Sequence, residues 1–156
     1  MDQAFLDYLV EFHCHRDYFE CHEILEERWK ADPKGERQLY WVALIQIAVG
    51  LYHFRRRNFS GAEKMLARAL EKVKREKAAL TALGIRVDEL VSLLEYELNR
   101  LIAGGLYEKI ELPLTGGVRR AFNLYCEAEG FNPASENLTD YFLVNKHLLR
   151  ERNELV

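Results

Sequence analysis

The chain has 156 residues, 49% of them hydrophobic, which is enough for one ordinary domain and excludes a disordered tail or a disulfide-stapled miniprotein. With 22 Lys and Arg against 25 Asp and Glu the net charge is −3, so the molecule as a whole is no general nucleic-acid binder. Cys14, Cys21 and Cys126 form no CxxC pair, Met1 is followed by Asp2, and no apolar run approaches ~18 residues; a cytoplasmic protein with free thiols, no signal peptide and no membrane span is expected.

Only Pro33, Pro113 and Pro133 interrupt the chain, and long Pro-free stretches with helical periodicity predict an all-α fold. From Ala4 to about Asp32 the apolar residues recur at helical spacing, with an interruption near His15–Asp17. Pro33-Lys34-Gly35 is a breaker. A second helical block runs from Arg37 to about Leu83, broken at Asn58 and capped at Gly84. A fifth helix follows, with Val87, Leu90, Val91, Leu94, Leu98 and Leu101 on one face, and Gly104-Gly105 ends it. Beyond it, Ile110, Leu112 and Leu114 alternate as in a short extended segment. Residues 118–130 are expected to form a short helix around Ala121, Leu124 and Tyr125, and residues 138–152 a final one. Residues 105–156 are too short for a core of their own and read as a wrapping C-terminal extension of a single domain spanning 1–156.

An offset of 41 residues lays Arg16-Asp17-Tyr18 over Arg57-Asn58-Phe59, Cys21 over Ala62 and Leu25 over Leu66. Asp17 and Asn58 both suit a helix N-cap, so residues 5–83 read as two related antiparallel helical hairpins, 5–31 and 37–83. The second also echoes a tetratricopeptide unit through Gly50, Ala62, Leu66 and Ala69, although two copies fall short of a solenoid. Trp29 and Trp41 lie on the helices expected to meet at the first interface, and both are expected to be buried.

Matched positions are explained by packing; His22, Glu23 and Glu26 are not matched, since their counterparts are Glu63, Lys64 and Ala67. On a helix, His22 and Glu26 share a side at the edge of the Tyr18, Cys21, Leu25 and Trp29 face, and Glu23 lies a step further round. The stretch 39–52 is apolar nearly all round. Its polar exception, Gln46, and His53, one residue beyond the stretch, are seven apart and share a face, with Gly50 between them. Because buried polar groups need partners, Gln46 and His53 are expected to face His22 and Glu26. Two imidazoles and carboxylates in one place can act as a satisfied hydrogen-bond network or as a small-ligand site. They can also act as a metal site, with His22, Glu26 and His53 holding Zn²⁺, Mn²⁺ or Fe²⁺. In the metal reading Glu23 would be the general base of a hydrolase.

Other features carry less. In His13-Cys14-His15, adjacent residues point apart on a helix and cannot chelate together. Cys21 reads as a small core residue. The basic runs Arg55-Arg56-Arg57, Lys72–Lys77 and Arg119-Arg120 read as solvated faces, and nucleic-acid contact is not expected. No phosphate loop, serine elbow or dinucleotide fingerprint is present.

The run Tyr18-Phe19-Glu20-Cys21-His22-Glu23-x-Leu25-Glu26-x-x-Trp29, with Leu44-Ile45-Gln46, Tyr52-His53, Asn58 and Gly61-Ala62, resembles the bacterial and archaeal family called domain of unknown function 309. The resemblance covers residues 5–80. It implies a small all-α domain whose polar signature falls on His22, Glu23, Glu26, Gln46 and His53, and it implies no activity. The sequence thus supports two readings: a binding or interaction module for a small ligand or a protein, and a metal-dependent enzyme built on the same cluster.

Overall fold

The computed structural model describes residues 1–133, and its helices follow the apolar periodicity closely. They are α1 (Gln3–Val10), α2 (Tyr18–Ala31), α3 (Leu39–Arg55), α4 (Phe59–Arg75), α5 (Lys77–Leu83), α6 (Val87–Ile102) and α7 (Gly116–Glu129). A π-helical turn, Glu11–His15, extends α1, and a 3₁₀ turn, Lys34–Glu36, follows the Pro33 breaker. Helix α3 is the central element, buried along most of its length. It packs between α2 and α4, with α1 against α2 and α6 against α4. The second block breaks at Asn58 as expected, but its latter half does not run unbroken to Leu83, because the chain breaks again at Glu76 before α5. No described helix is long and apolar enough to cross a membrane.

The two turns predicted by the 41-residue offset have matching backbones. Asp17 caps α2 by accepting the Glu20 amide, and Asn58 caps α4 by accepting the Gly61 amide. The residue before each cap, Arg16 or Arg57, is left-handed, with φ of 53° and 64°; these are the two positive-φ non-glycine residues among those described. At the second turn the Arg57 amide reaches the Phe54 carbonyl and the Asn58 amide the His53 carbonyl. That is a Schellman ending, where glycine is the ordinary left-handed residue. At the first turn the Asp17 amide reaches back to Glu11, one residue further, because the π-helical turn widens the last loop of backbone.

Packing follows the repeat at two of its three matched pairs. Cys21, Ala62, Leu25 and Leu66 are all fully buried. Leu66 sits on Gly50 so closely that a Cβ there would lie 2.7 Å from its Cγ, so glycine is what lets α3 and α4 approach. The third pair diverges: Tyr18 is fully buried and Phe59 is 40% exposed. Trp41 is buried as expected, with Arg28 over its ring. Trp29 is only half-buried; its ring lies under the Arg37 guanidinium, outside the main seam.

After α6 the chain turns at Gly104 and runs extended. Ile110, Leu112 and Leu114 are buried in the core, as their alternation predicted, while Glu111 between them stays half-exposed. Leu114 bridges Ile85 in antiparallel fashion. Helix α7 forms where expected but presents a different face: Phe122 and Cys126 enter the main apolar cluster, whereas Ala121 and Leu124 are exposed. The helix expected over residues 138–152 lies outside the described residues.

Candidate functional site

His22 on α2 and His53 on α3 line one crevice of about 170 Å³, together with Tyr18, Phe19, Val49 and Tyr52. Helix periodicity places them there: Phe19 and His22 stand on one side of α2, and Val49, Tyr52 and His53 on the facing side of α3. The His22 ring lies 5.7 Å from that of Phe19, and Phe19 lies 6.1 Å from Tyr52. His22 Nε2 meets Glu26 Oε2 at 2.8 Å, and Glu26 also accepts from Lys30 at 2.7 Å. The Lys30 bond, with His22 beside it, holds the Glu26 carboxyl below its usual range. The Nδ1 of His53 meets the Asn58 amide group at 3.2 Å.

The remaining members of the predicted cluster lie elsewhere. Glu23 lines a groove on the outer side of α2 with Glu20, Glu26 and Glu27. The Gln46 Oε1 is buried and has no hydrogen-bond partner among the described residues. No three His, Cys, Asp or Glu side chains among the described residues stand together as a set of metal ligands. The structure therefore brings His22 to Glu26 and to the crevice that His53 lines, while the His53 ring meets Asn58.

A second polar cluster, absent from the sequence reading, sits beneath the first turn. The Arg16 side chain is fully buried. It donates through Nη1 to the Ile110 carbonyl at 2.5 Å and through Nη2 to Glu111 Oε1 at 2.5 Å. His13, also buried, meets Glu111 Oε2 through Nδ1 at 2.5 Å and lies between the rings of Phe12 and Phe122. The Arg16 carbonyl accepts from Arg55 Nη1 at 2.8 Å, and the Arg55 guanidinium lies 4.7 Å from the Tyr18 ring centroid. The hydroxyls of Tyr18 and Tyr107 hydrogen-bond to each other. Arg55 is thus half-buried and engaged with the first turn, and is not part of a solvated basic face.

Charge in this cluster is set by burial and pairing. Burial keeps His13 below its ordinary value although Glu111 pulls it up, so its ring is neutral near pH 7 and donates to the carboxylate. Partial burial pushes the Glu111 carboxyl up, but the His13 hydrogen bond and the Arg16 charge hold it down at about 2. The ion pair at neutral pH is therefore Arg16–Glu111. The three cysteines are buried and free. Cys14 and Cys126 have their sulfurs 3.6 Å apart, and burial lifts the Cys14 thiol to about 12.

Helices packed in chain order around α3, with a small crevice and a buried ion-pair cluster, define a small all-α domain with no recognisable catalytic constellation among the described residues. Residues 5–65 match the model of the domain of unknown function family (DUF309). The whole chain is similar to the "Uncharacterized protein YpuF" of Bacillus subtilis (strain 168). That protein is 39% identical over 156 residues, covering 99% of this chain and 90% of the relative. The chain belongs to this family. No solved structure matches it. The matched segment contains both turns and the crevice, and it excludes the strap that carries Tyr107 and Glu111.

Proposed function

We propose that the protein is a binding module whose crevice between α2 and α3 receives one apolar, side-chain-sized group of a ligand or partner. The observation that carries this reading is that His22 and His53, from different halves of the repeat, line the same aromatic-walled crevice. Its volume of about 170 Å³ is below the roughly 300 Å³ at which cofactor and drug-sized sites begin, so it suits a single phenyl or branched aliphatic group. The imidazoles supply polar handles at its rim. N-acetyl-phenylalaninamide is a suitable probe: it should give saturable amide shifts over residues 18–22 and 49–53, lost in Val49→Phe and weakened in His22→Ala. No saturable shift, or equal shifts in Val49→Phe, would contradict the proposal.

The same reading treats residues 1–156 as one domain, supported by the entry of Phe122 and Cys126 into the core that α1–α4 build. It also places the protein in the cytoplasm. Two buried thiols 3.6 Å apart and unbonded suit a reducing compartment, where neighbouring cysteines stay reduced. Native protein isolated without reductant should retain three free thiols; an intact mass lighter by two hydrogens would argue against this location.

A further inference from the structure

We propose that the turn between α3 and α4 docks an extended peptide of a partner protein in which one carboxylate is flanked by apolar residues, setting the carboxylate on Arg57 and an apolar side chain beside Leu106. The molecule contains the template for this interaction. At the equivalent first turn, Arg16 is met by the chain's own segment 109–113, whose Ile110 carbonyl and Glu111 carboxylate take the two ends of the guanidinium. Ile110 and Leu112 on either side of Glu111 bury themselves as they do so. An acidic residue flanked by apolar ones, in extended backbone, is therefore what this turn recognises where it is already occupied.

At the second turn the same left-handed arginine and side-chain cap are present without that partner. Arg57 occupies the left-handed position that glycine would take at less cost, and its side chain is exposed, with no hydrogen bond or ion pair of its guanidinium among the described residues. Strain kept at a residue whose side chain the fold does not employ points to a use outside the fold. Arg57 borders a cleft of about 230 Å³ with Phe54, Arg55, Leu106 and Tyr107. Two guanidinium groups make the cleft cationic, and its other walls are apolar. Leu106 is 55% exposed, and Phe59 beside Phe54 is 40% exposed, so apolar surface lies uncovered next to the charge. Arginine pairs with carboxylate in a planar, two-pronged geometry, and extended peptides present alternate side chains to such a surface.

The test uses the whole protein and the peptide acetyl-Lys-Ile-Glu-Leu-Pro-amide, which copies the segment seated on Arg16. Amide shifts should saturate at residues 54–57 and 106–107. Replacing the peptide's Glu by Gln, or Arg57 by Gln in the protein, should each weaken binding about tenfold or more. Leu106→Asp, at an exposed position, should weaken it as well. The inference is overturned if nothing saturates, or if Arg57→Gln, shown by its melting curve to be folded, binds the peptide as tightly as wild type. Equal shifts with acetate or inorganic phosphate would mean a simple anion site, and shifts on dilution without peptide would mean a second copy of this chain. Shifts centred on His13 and Arg16 would mean exchange with the chain's own segment. Each of these also overturns it.

Discussion

At the turn into α2, Arg16 takes a left-handed backbone with its guanidinium buried on Glu111; at the turn into α4, Arg57 takes the same backbone and lies in solvent. A left-handed non-glycine residue costs roughly 1–2 kcal/mol wherever it stands. In the first turn the arginine side chain offsets that cost with two hydrogen bonds, one of them to a carboxylate; in the second the described fold offsets it only with the backbone bonds to Phe54 and His53 and the Asn58 cap. The difference comes from the segment after α6, which passes over one turn and only touches the other. Tyr107 marks the boundary, bonding the Tyr18 hydroxyl on one side and packing its ring 6.3 Å from Phe54 on the other. A duplicated turn can thus be locked by a later stretch of the same chain in one copy and left open in the other.

Removing that boundary should have the largest effect. Tyr107→Ala is expected to cost about 2–4 kcal/mol in unfolding free energy, since it strips ring contacts and strands the fully buried Tyr18 hydroxyl. Tyr107→Phe should recover the part due to the ring. A loss below about 1 kcal/mol for Tyr107→Ala, by chemical denaturation, would show that the strap is not what closes the first turn.

The caps should respond alike in sign and unequally in size. Asp17→Ala is expected to cost about 1–2 kcal/mol and Asn58→Ala about 0.5–1, because Asp17 is buried and Asn58 is exposed. Equal costs measured by thermal unfolding would mean that burial does not deepen the first cap.

The smallest effect is one of acidity. Glu111 titrates at about 2 in the fold against an ordinary value of 4.5, so its contribution is present above about 4.5 and is lost as pH falls from there toward 2. Glu111→Gln should therefore flatten the fall in stability across that window while leaving its course above pH 5 parallel to wild type. Because the side chain is 53% exposed, solvent screening keeps the effect modest. An unchanged acid limb in Glu111→Gln would show that the Arg16 pair does not form in solution.

What the sequence reveals about this comparison is local. Asp17 and Asn58 are legible as caps because capping is decided within three residues. Ile110, Leu112 and Leu114 are legible because a period of two needs no partner to be seen. The Arg16–Glu111 and His13–Glu111 contacts join residues more than 90 positions apart, and no periodicity encodes which outward side chain of an extended strap will meet which turn. Subtracting matched positions also misleads here. It isolates His22, Glu23 and Glu26, of which only His22 enters the crevice that His53 lines, and it discards Arg16 because Arg57 matches it. A signal was available: arginine in both copies at the position after a helix where glycine is ordinary. The misassigned face of α7 has a different cause, since Leu124 and Phe122 offer competing apolar sides and only the site of docking, against α1, decides between them.

The unequal roles of two equivalent arginines are tested most directly by replacing each with glycine and comparing their unfolding free energies. Glycine relieves the left-handed backbone in both cases, and any other change reports the side chain. Arg16→Gly is expected to lose about 2–4 kcal/mol, because Glu111 and the Ile110 carbonyl lose their buried donor. Arg57→Gly is expected to match wild type or exceed it by up to about 1 kcal/mol. Losses of the same sign and similar size at both positions would contradict the distinction between a turn closed by its own chain and a turn left open for a partner.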